Sequence, residues 1–254
     1  MAAPAQCPTP PAARLYPETA DIETSSAQYA RRFSGPAGAW LLAVQERLAL
    51  ALILRDQPDT ILDVGGGHGQ LARPLAAAGR TVTVLGSEPG CSALIEDDLM
   101  AGRLAFETGN VIALPFADQA FDTAISFRLL THCARWPELI AELTRVARRA
   151  VVLDYPARRS VNCLAGLLFA AKKKYEGDTR TFRPFSHGEV ADAMRQAGFV
   201  PAGRRAQFFW PMVLHRALKR PRLSRALEAP PRLLGLTRLF GSPIIARFER
   251  QEPA

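Results

Sequence analysis

The sequence predicts an α/β protein in which a mostly parallel β-sheet carries helices on both faces. Short apolar runs alternate along the chain with segments whose apolar residues recur at helical spacing, and this order typically gives a parallel sheet covered by helices. One apolar run, at residues 60–64, leads directly into a glycine-rich turn and then a helical segment. In open sheets of this kind, ligands bind at the carboxyl ends of the strands, where this turn would lie.

Composition restricts the kind of protein further. The 254 residues are 48% hydrophobic and 22% charged, which is ordinary for one large globular domain. No uncharged apolar run reaches about 18 residues and the amino terminus lacks a secretory pattern, so neither a membrane span nor export is predicted. The four cysteines lie far apart without a C-x-x-C pair, which argues against a metal site or disulfide framework and favours reduced thiols in a cytoplasmic protein.

The predicted elements follow from apolar periodicity and from helix and turn signals. Residues 1–15 are rich in proline and alanine and are expected to be a disordered leader, with residues 16–254 forming a single domain. Ser186 and Glu189 have the spacing of a capping box, and Gly198 would close that helix. The elements in order are helix 40–54, strand 60–64, helix 70–78, strand 81–85, helix 91–100, strand 103–106, strand 121–127, helix 138–147, strand 150–154, helix 186–198 and strand 199–210.

The net charge of +8 is concentrated in two segments. Residues 158–183 carry +5 and residues 211–241 carry +6, so the remainder is close to −3. The second segment also contains many leucines, and its prolines at 221, 230 and 231 are predicted to split it into short amphipathic pieces. Basic amphipathic stretches favour an anionic membrane surface. Aromatic residues that could stack on bases are sparse there, so no nucleic-acid partner is predicted.

The glycine-rich turn carries the first motif that points to a function. Its glycines allow positive φ and a close approach of the backbone to a ligand, which a Cβ would block. The pattern Asp63-x-Gly65-x-Gly67-x-Gly69 resembles the first motif of class I S-adenosylmethionine-dependent methyltransferases. A nicotinamide-binding turn is the alternative, because Gly67-x-Gly69-x-x-Ala72 fits its looser form.

A second motif favours the methyltransferase interpretation. Leu114-Pro115-Phe116, followed by Phe121-Asp122, resembles the segment before the fourth strand in that family. A nicotinamide enzyme has no reason to carry this segment. The resemblance covers residues 38–210 and the last strand, and it is strongest for enzymes that methylate lipophilic substrates, such as the ubiquinone/menaquinone-biosynthesis type and bacterial phospholipid N-methyltransferases.

The resemblance implies a Rossmann-like fold with a seven-stranded, mostly parallel sheet and an antiparallel last strand at residues 243–248. Residues 211–241 would be a helical insertion between strands six and seven, and residues 156–183 a lid. The apolar part of the lid, which ends in three lysines and a tyrosine, is either an interfacial helix or a substrate lid with a solvated basic end. Residues 16–33 either close over the cofactor, as in the family, or pack without touching it.

The resemblance also implies the residues that bind S-adenosylmethionine. Strand four ends near the methionine part of the cofactor, where Phe127 would face it. Most family members place an acid at the end of strand two to bind the ribose, but Gly86 stands there and Glu88 is the nearest acid, with an exposed helix-start acid as the alternative. Asn110 stands where an adenine-binding Asp is common, and Val111 would contact the ring. The methionine part itself would be held by Asp63, Gly65, Gly66, Gly67 and Gly69.

Catalysis and the acceptor are less specified by the sequence. His132 stands where related enzymes often carry a histidine, as either a general base or a structural hydrogen-bonding group. The basic amphipathic segments favour a hydrophobic or lipid-like acceptor at the inner membrane surface, with the protein cytoplasmic and peripherally bound. A soluble small-molecule acceptor is one alternative. A non-catalytic accessory protein is another, because Gly86 and Asn110 depart from the family pattern.

Overall fold

The computed structural model of the chain describes residues 16–161 and 182–251, and its centre is a seven-stranded β-sheet. The strands are β1 Thr60–Val64, β2 Thr81–Gly86, β3 Ala105–Thr108, β4 Phe121–Ser126, β5 Ala147–Tyr155, β6 Phe199–Phe208 and β7 Ser242–Arg250. Their order across the sheet is β3-β2-β1-β4-β5-β7-β6. Only β7 runs antiparallel, paired with β5 on one side and β6 on the other. The predicted Rossmann-like sheet with its antiparallel last strand is therefore confirmed.

Helices cover both faces of this sheet, and alternate residues of each central strand point into two hydrophobic clusters. Leu62 and Val151 belong to one cluster, whereas their neighbours Ile61 and Val152 belong to the other. This alternation is what two covered faces require of a buried strand. The helices are α1 Ala20–Thr24, α2 Ala27–Arg31, α3 Gly35–Ile53, α4 Ala72–Ala77, α5 Glu96–Met100, α6 Trp136–Val146, α7 His187–Gln196, α8 Met212–Leu218, α9 Pro221–Leu233 and α10 Leu236–Phe240.

Helix α3 is the element that could be mistaken for a membrane span. Residues Gly35–Asp56 are long and apolar enough to cross a membrane by length and composition, although the sequence predicted no such segment. Half of the apolar window is buried inside the fold. Gln45 donates a hydrogen bond to Asp154 at 3.0 Å, and Trp40 packs against Phe208. These contacts identify α3 as a core helix that lies against the sheet.

The helix predicted at residues 91–100 is wrong as a single element. A 3₁₀ turn spans Pro89–Ser92, and α5 begins only at Glu96. The guanidinium of Arg73 bonds to the carbonyl of Leu94, so a long-range contact takes a group that a continuous helix would need. Strand β3 also begins two residues later than predicted, because the N–H of Arg103 bonds back to the carbonyl of Asp98 in α5 at 2.9 Å.

The insertion at residues 211–241 is helical, as predicted, and it breaks before Pro221 as expected, but it does not break at Pro230 and Pro231. Pro230 and Pro231 lie inside α9, and the reversal comes at Gly235, whose φ is +73°. A proline at position 231 leaves the carbonyl of Leu227 without its helical partner. The indole N–H of Trp210 donates to that carbonyl at 3.2 Å, so a tertiary contact replaces the missing bond. The leader at residues 1–15 and the apolar part of the predicted lid lie outside the described residues.

Candidate functional site

The loop between β1 and α4 is the centre of the candidate site, and its backbone requires glycine. Gly65 and Gly69 have φ values of +81° and +71°, which L-residues with side chains rarely adopt. A Cβ at Gly66 would lie 2.1 Å from the Asp63 carboxylate, and one at Gly67 would lie 2.1 Å from the carbonyl of Cys91. Because the loop leaves the end of β1, it lies at the carboxyl edge of the sheet, beside the switch in strand order between β1 and β4.

The amino-terminal helices pack directly on this loop. The buried carboxylate of Asp21 accepts hydrogen bonds from the N–H of Ser87 at 2.6 Å and from its hydroxyl at 2.7 Å. The Cβ of Asp21 also lies 3.4 Å from the position that a Cβ on Gly65 would take. Ser25 approaches Gly67 in the same way, since its hydroxyl oxygen lies 2.5 Å from the position that a Cβ on Gly67 would take. Residues 16–33 thus form one wall of the site.

Two buried carboxylates, Asp63 and Asp154, lie near the carboxyl ends of β1 and β5, the two strands on either side of β4. Burial raises the pKa of Asp63 to about 7, although the nearby Arg128 cation lowers it. Burial likewise raises the pKa of Asp154, at the end of β5, to about 6. Asp154 accepts hydrogen bonds from the N–H of Arg128 at 2.6 Å and from Gln45. Asp63 can therefore change its charge near neutral pH.

In the part of the chain that the structure describes, two basic side chains beside the loop have buried nitrogens without a hydrogen-bond partner. These are both ring nitrogens of His68 and all three guanidinium nitrogens of Arg128. The hydroxyl of Ser25 is also unpaired. Because buried polar groups in proteins are nearly always hydrogen-bonded, such a group of unpaired atoms indicates a place for a polar ligand. Burial, and after it the nearby Arg128 cation, lower the pKa of His68 to about 3, so this imidazole is neutral at pH 7.

The residues predicted to bind ribose and adenine lie after β2 and β3. Glu88 is exposed, two residues beyond the end of β2. The side-chain oxygen of Asn110 accepts a hydrogen bond from the N–H of Ile112 at 3.2 Å, which organises the turn after β3. Val111 is fully buried in the hydrophobic core. Their contacts with a cofactor stay predictions.

Phe127 and His132 follow β4. Phe127 is buried in the cluster that packs against α3. His132 ends a 3₁₀ turn, and its ring centroid lies 6.1 Å from that of Phe182. The role of His132 as a general base stays a prediction. Among residues 16–161 and 182–251, no three His, Cys, Asp or Glu residues are grouped as a metal site requires.

Sequence reasoning missed three contributors to this site, namely Asp21, Ser25 and His68. Asp21 and Ser25 gave no signal, because their contacts join residues 66 and 42 positions apart in the chain. His68 lies inside the glycine motif itself, and its position between Gly67 and Gly69 could have identified it. Arg128 lies directly after β4, at the strand end that the sequence predicted to face the ligand.

The sheet order, the antiparallel last strand and the glycine loop after β1 together define a class I methyltransferase fold. Residues 62–153 match the family model of a methyltransferase domain, so the chain contains such a domain.

The chain is similar to several named methyltransferases. An uncharacterized methyltransferase of Mycobacterium marinum is 38% identical over 100 residues, which are 38% of each chain. The ubiquinone/menaquinone biosynthesis C-methyltransferase UbiE of Paracoccus denitrificans is 39% identical over 107 residues, which are 37% of this chain and 42% of that one. The matched part thus spans about two fifths of these relatives.

A solved structure extends the likeness over most of the fold. The magnesium protoporphyrin IX methyltransferase of Synechocystis PCC 6803, with bound S-adenosylhomocysteine, superimposes with a TM-score of 0.61. The match covers 90% of this chain and 96% of that chain at 17% sequence identity.

Proposed function

We propose that this protein transfers a methyl group from S-adenosylmethionine to a hydrophobic or lipid-like acceptor at a membrane surface. One observation supports the cofactor most strongly: unpaired buried polar atoms of Ser25, His68 and Arg128 lie around the glycine loop. The amino-acid part of S-adenosylmethionine carries an ammonium and a carboxylate, so it offers partners to such atoms. The methyltransferase domain match over residues 62–153 supports the same cofactor.

The residues at the edge of the sheet would bind the three parts of this cofactor. Asp63 and the loop from Gly65 to Gly69 would hold the methionine part. Glu88, exposed two residues beyond the end of β2, would reach the ribose hydroxyls, and Asn110, which precedes the fully buried Val111, would bind the adenine. The amide oxygen of Asn110 already accepts one backbone bond, but a carbonyl oxygen has a second lone pair for another donor.

The chemistry requires positioning more than acid–base catalysis. The sulfonium of S-adenosylmethionine already activates its methyl group, so the protein mainly orients the acceptor and excludes water. The acceptor atom forms a bond to the methyl carbon while the carbon–sulfur bond breaks. A base such as His132 is needed only for an acceptor that must lose a proton in this step.

The insertion supports an acceptor that resides in a membrane, because α9 buries polar side chains and exposes leucines together with arginines. Ser224 and Glu228 are buried, whereas Leu233 is 86% exposed and Leu234, directly after the helix, is 73% exposed. This is the reverse of the usual pattern for a helix on a water-facing surface. Exposed arginines accompany the leucines, and such a combination binds anionic lipid surfaces.

Label transfer would test the reaction. The full-length protein would be incubated with methyl-labelled S-adenosylmethionine and either a membrane lipid extract or an aqueous metabolite extract. We expect label in the lipid fraction, and none with Gly67→Val, whose Cβ would collide with the carbonyl of Cys91. Label confined to the aqueous extract would contradict the lipid acceptor, and no transfer despite cofactor binding would favour an accessory protein.

Co-sedimentation with vesicles would test the membrane surface. We expect the protein to sediment with vesicles of phosphatidylglycerol and phosphatidylcholine, and less with phosphatidylcholine alone, because the insertion is basic. The double variant Leu233→Glu with Leu234→Glu should lower the bound fraction at least about fivefold. Met100→Glu is the matched control, since Met100 is 84% exposed but lies on α5. Wild-type protein that stays in the supernatant with both vesicles would contradict the proposal.

A further inference from the structure

We propose that Arg128, together with the adjacent His68, is a carboxylate receptor within the candidate site. This proposal rests on the proposed function, because S-adenosylmethionine is one of the two ligands that could supply the carboxylate. The three guanidinium nitrogens of Arg128 are buried and make no hydrogen bond within the part of the chain that the structure describes, although the residue as a whole is only partly buried. Arg247, which is fully buried in the core, differs in this respect. Arg247 bonds through its guanidinium to the carbonyl of Leu52 and to Glu249.

The guanidinium of Arg128 is held in place although it lacks hydrogen bonds. It stacks over the ring of Phe33 at 5.0 Å and that of Tyr29 at 5.7 Å. Its backbone has a φ of +61°, and its N–H donates to Asp154 at 2.6 Å. A non-glycine residue in this left-handed region is uncommon, and such residues concentrate at functional sites. The cation is therefore positioned by its neighbours before any ligand binds.

The chemistry of the unpaired atoms identifies an anion as the ligand. An arginine cannot lose its proton in a protein, so its buried charge needs a partner. Neither Asp63 nor Asp154 accepts a hydrogen bond from the guanidinium. A planar carboxylate matches the paired N–H groups of an arginine, and a neutral His68 can donate one further N–H to it. Two ligands could carry this carboxylate: the methionine part of the cofactor, or the acceptor.

A matched pair of ligands tests whether the cofactor supplies the carboxylate. S-adenosylmethionine and its decarboxylated form differ only in the carboxylate, and calorimetry would measure both affinities. We expect wild-type protein to prefer S-adenosylmethionine by roughly 10- to 100-fold, as for a hydrogen-bonded charged pair. Arg128→Met should abolish this preference, and Arg128→Lys should retain part of it because the charge remains.

A second titration tests the acceptor as the source. Wild-type protein saturated with S-adenosylmethionine would be titrated with octanoate and with octanol. Binding of octanoate alone, lost in Arg128→Met, would assign the receptor to an acceptor carboxylate. If neither pair of ligands shows a preference that depends on Arg128, the proposal is overturned. Failure of wild-type protein to bind S-adenosylmethionine would instead contradict the proposed function.

A control variant separates the receptor role from a loss of folding. Arg250 also stacks on an aromatic ring, that of Phe199 at 4.7 Å, but its guanidinium donates to the carbonyls of Thr144 and Ala147. It lies at the opposite edge of the sheet from the glycine loop. We expect Arg250→Met to lower the melting temperature and leave both cofactor affinities unchanged. Arg128→Met should change the melting temperature of the free protein by less than about 3 °C, because it breaks no side-chain hydrogen bond.

Discussion

The carboxylate of Asp21 accepts a hydrogen bond from the backbone N–H of Ser87 at 2.6 Å, and this contact joins the amino-terminal helices to the end of β2. A buried acid therefore lies beside the strand end where the sequence has Gly86 and the exposed Glu88. The two acids have different tasks in our account. Asp21 fastens the wall of the site, and we propose that Glu88 binds the ribose.

Asp21→Asn and Glu88→Gln should separate these two tasks. Asp21→Asn weakens buried, charge-assisted hydrogen bonds, and we expect a loss of about 2 kcal/mol in stability, or roughly 4–8 °C in melting temperature. Glu88→Gln should leave the melting temperature unchanged and weaken S-adenosylhomocysteine binding about tenfold. Thermal unfolding and calorimetry measure the two effects. The assignment is wrong if Glu88→Gln binds with full affinity.

The affinity for the cofactor should depend on pH through Asp63. Its pKa is raised to about 7, so the carboxylate becomes ionised as pH rises through neutrality, and only the ionised form attracts the cofactor's cations. We expect S-adenosylmethionine to bind more tightly at about pH 7 than at about pH 5.5, a range in which the ligand's α-amino group, with an ordinary pKa of about 7.7–8.0, stays mostly protonated. Asp63→Asn should bind weakly and with a flatter pH profile. The same steep profile in that variant would show that another group is responsible.

Asp122 should contribute stability that is lost in acid. It accepts hydrogen bonds from the N–H groups of Asp59 and Thr60 and pairs with Arg148. Burial raises its pKa, but the bond from Arg148 and the backbone bonds outweigh burial and lower it to about 2. This stability is present above the unfolded pKa of 3.8 and disappears as pH falls toward 2.

Asp122→Asn would measure that contribution in urea unfolding. At pH 7 we expect the variant to be about 2 kcal/mol less stable than wild type, because the folded-state pKa lies nearly two units below the unfolded value. The difference should shrink between pH 4 and pH 2.5. A difference that stays constant over this range would mean that the carboxylate charge is unimportant.

Glu228 should hold the insertion against the rest of the fold. Its carboxylate accepts hydrogen bonds from the N–H groups of Phe209 and Trp210 at 2.9 and 3.0 Å and lies 3.0 Å from a ring nitrogen of His215. Glu228→Gln would turn an amide donor toward one of these donors, and we expect a loss of about 2 kcal/mol. Chemical denaturation measures it, with the exposed Glu96→Gln as the control. Equal stability of the two variants would contradict this role.

The sequence predicted the parts of the fold that depend on local pattern. Strand β1 and its glycine loop were predicted correctly, since an apolar run and positive φ are properties of neighbouring residues. The break before α5 was missed, because it depends on a bond from Arg73 to a carbonyl 21 residues away. The breaks expected at Pro230 and Pro231 were wrong for the same reason, since the indole of Trp210 satisfies a carbonyl that the prolines leave free.

In the candidate site too, the sequence predicted the residues of a local motif but not those that tertiary packing brings in. The glycines and Asp63 follow one another along the chain, so a motif could identify them. Asp21 reaches the site only through the packing of α1, which has no signature in the sequence around Ser87. The unpaired state of the Arg128 guanidinium likewise depends on groups from several elements, and only the folded structure shows it.

Calorimetric titration of the wild-type protein with S-adenosylhomocysteine, run beside NADH, tests the central claim most directly. Both ligands contain adenosine, but only the first carries the amino-acid group that fits Asp63 and Arg128. Our account predicts micromolar binding of S-adenosylhomocysteine and no binding of NADH. Binding of NADH alone would contradict it and identify the glycine loop as a nicotinamide site.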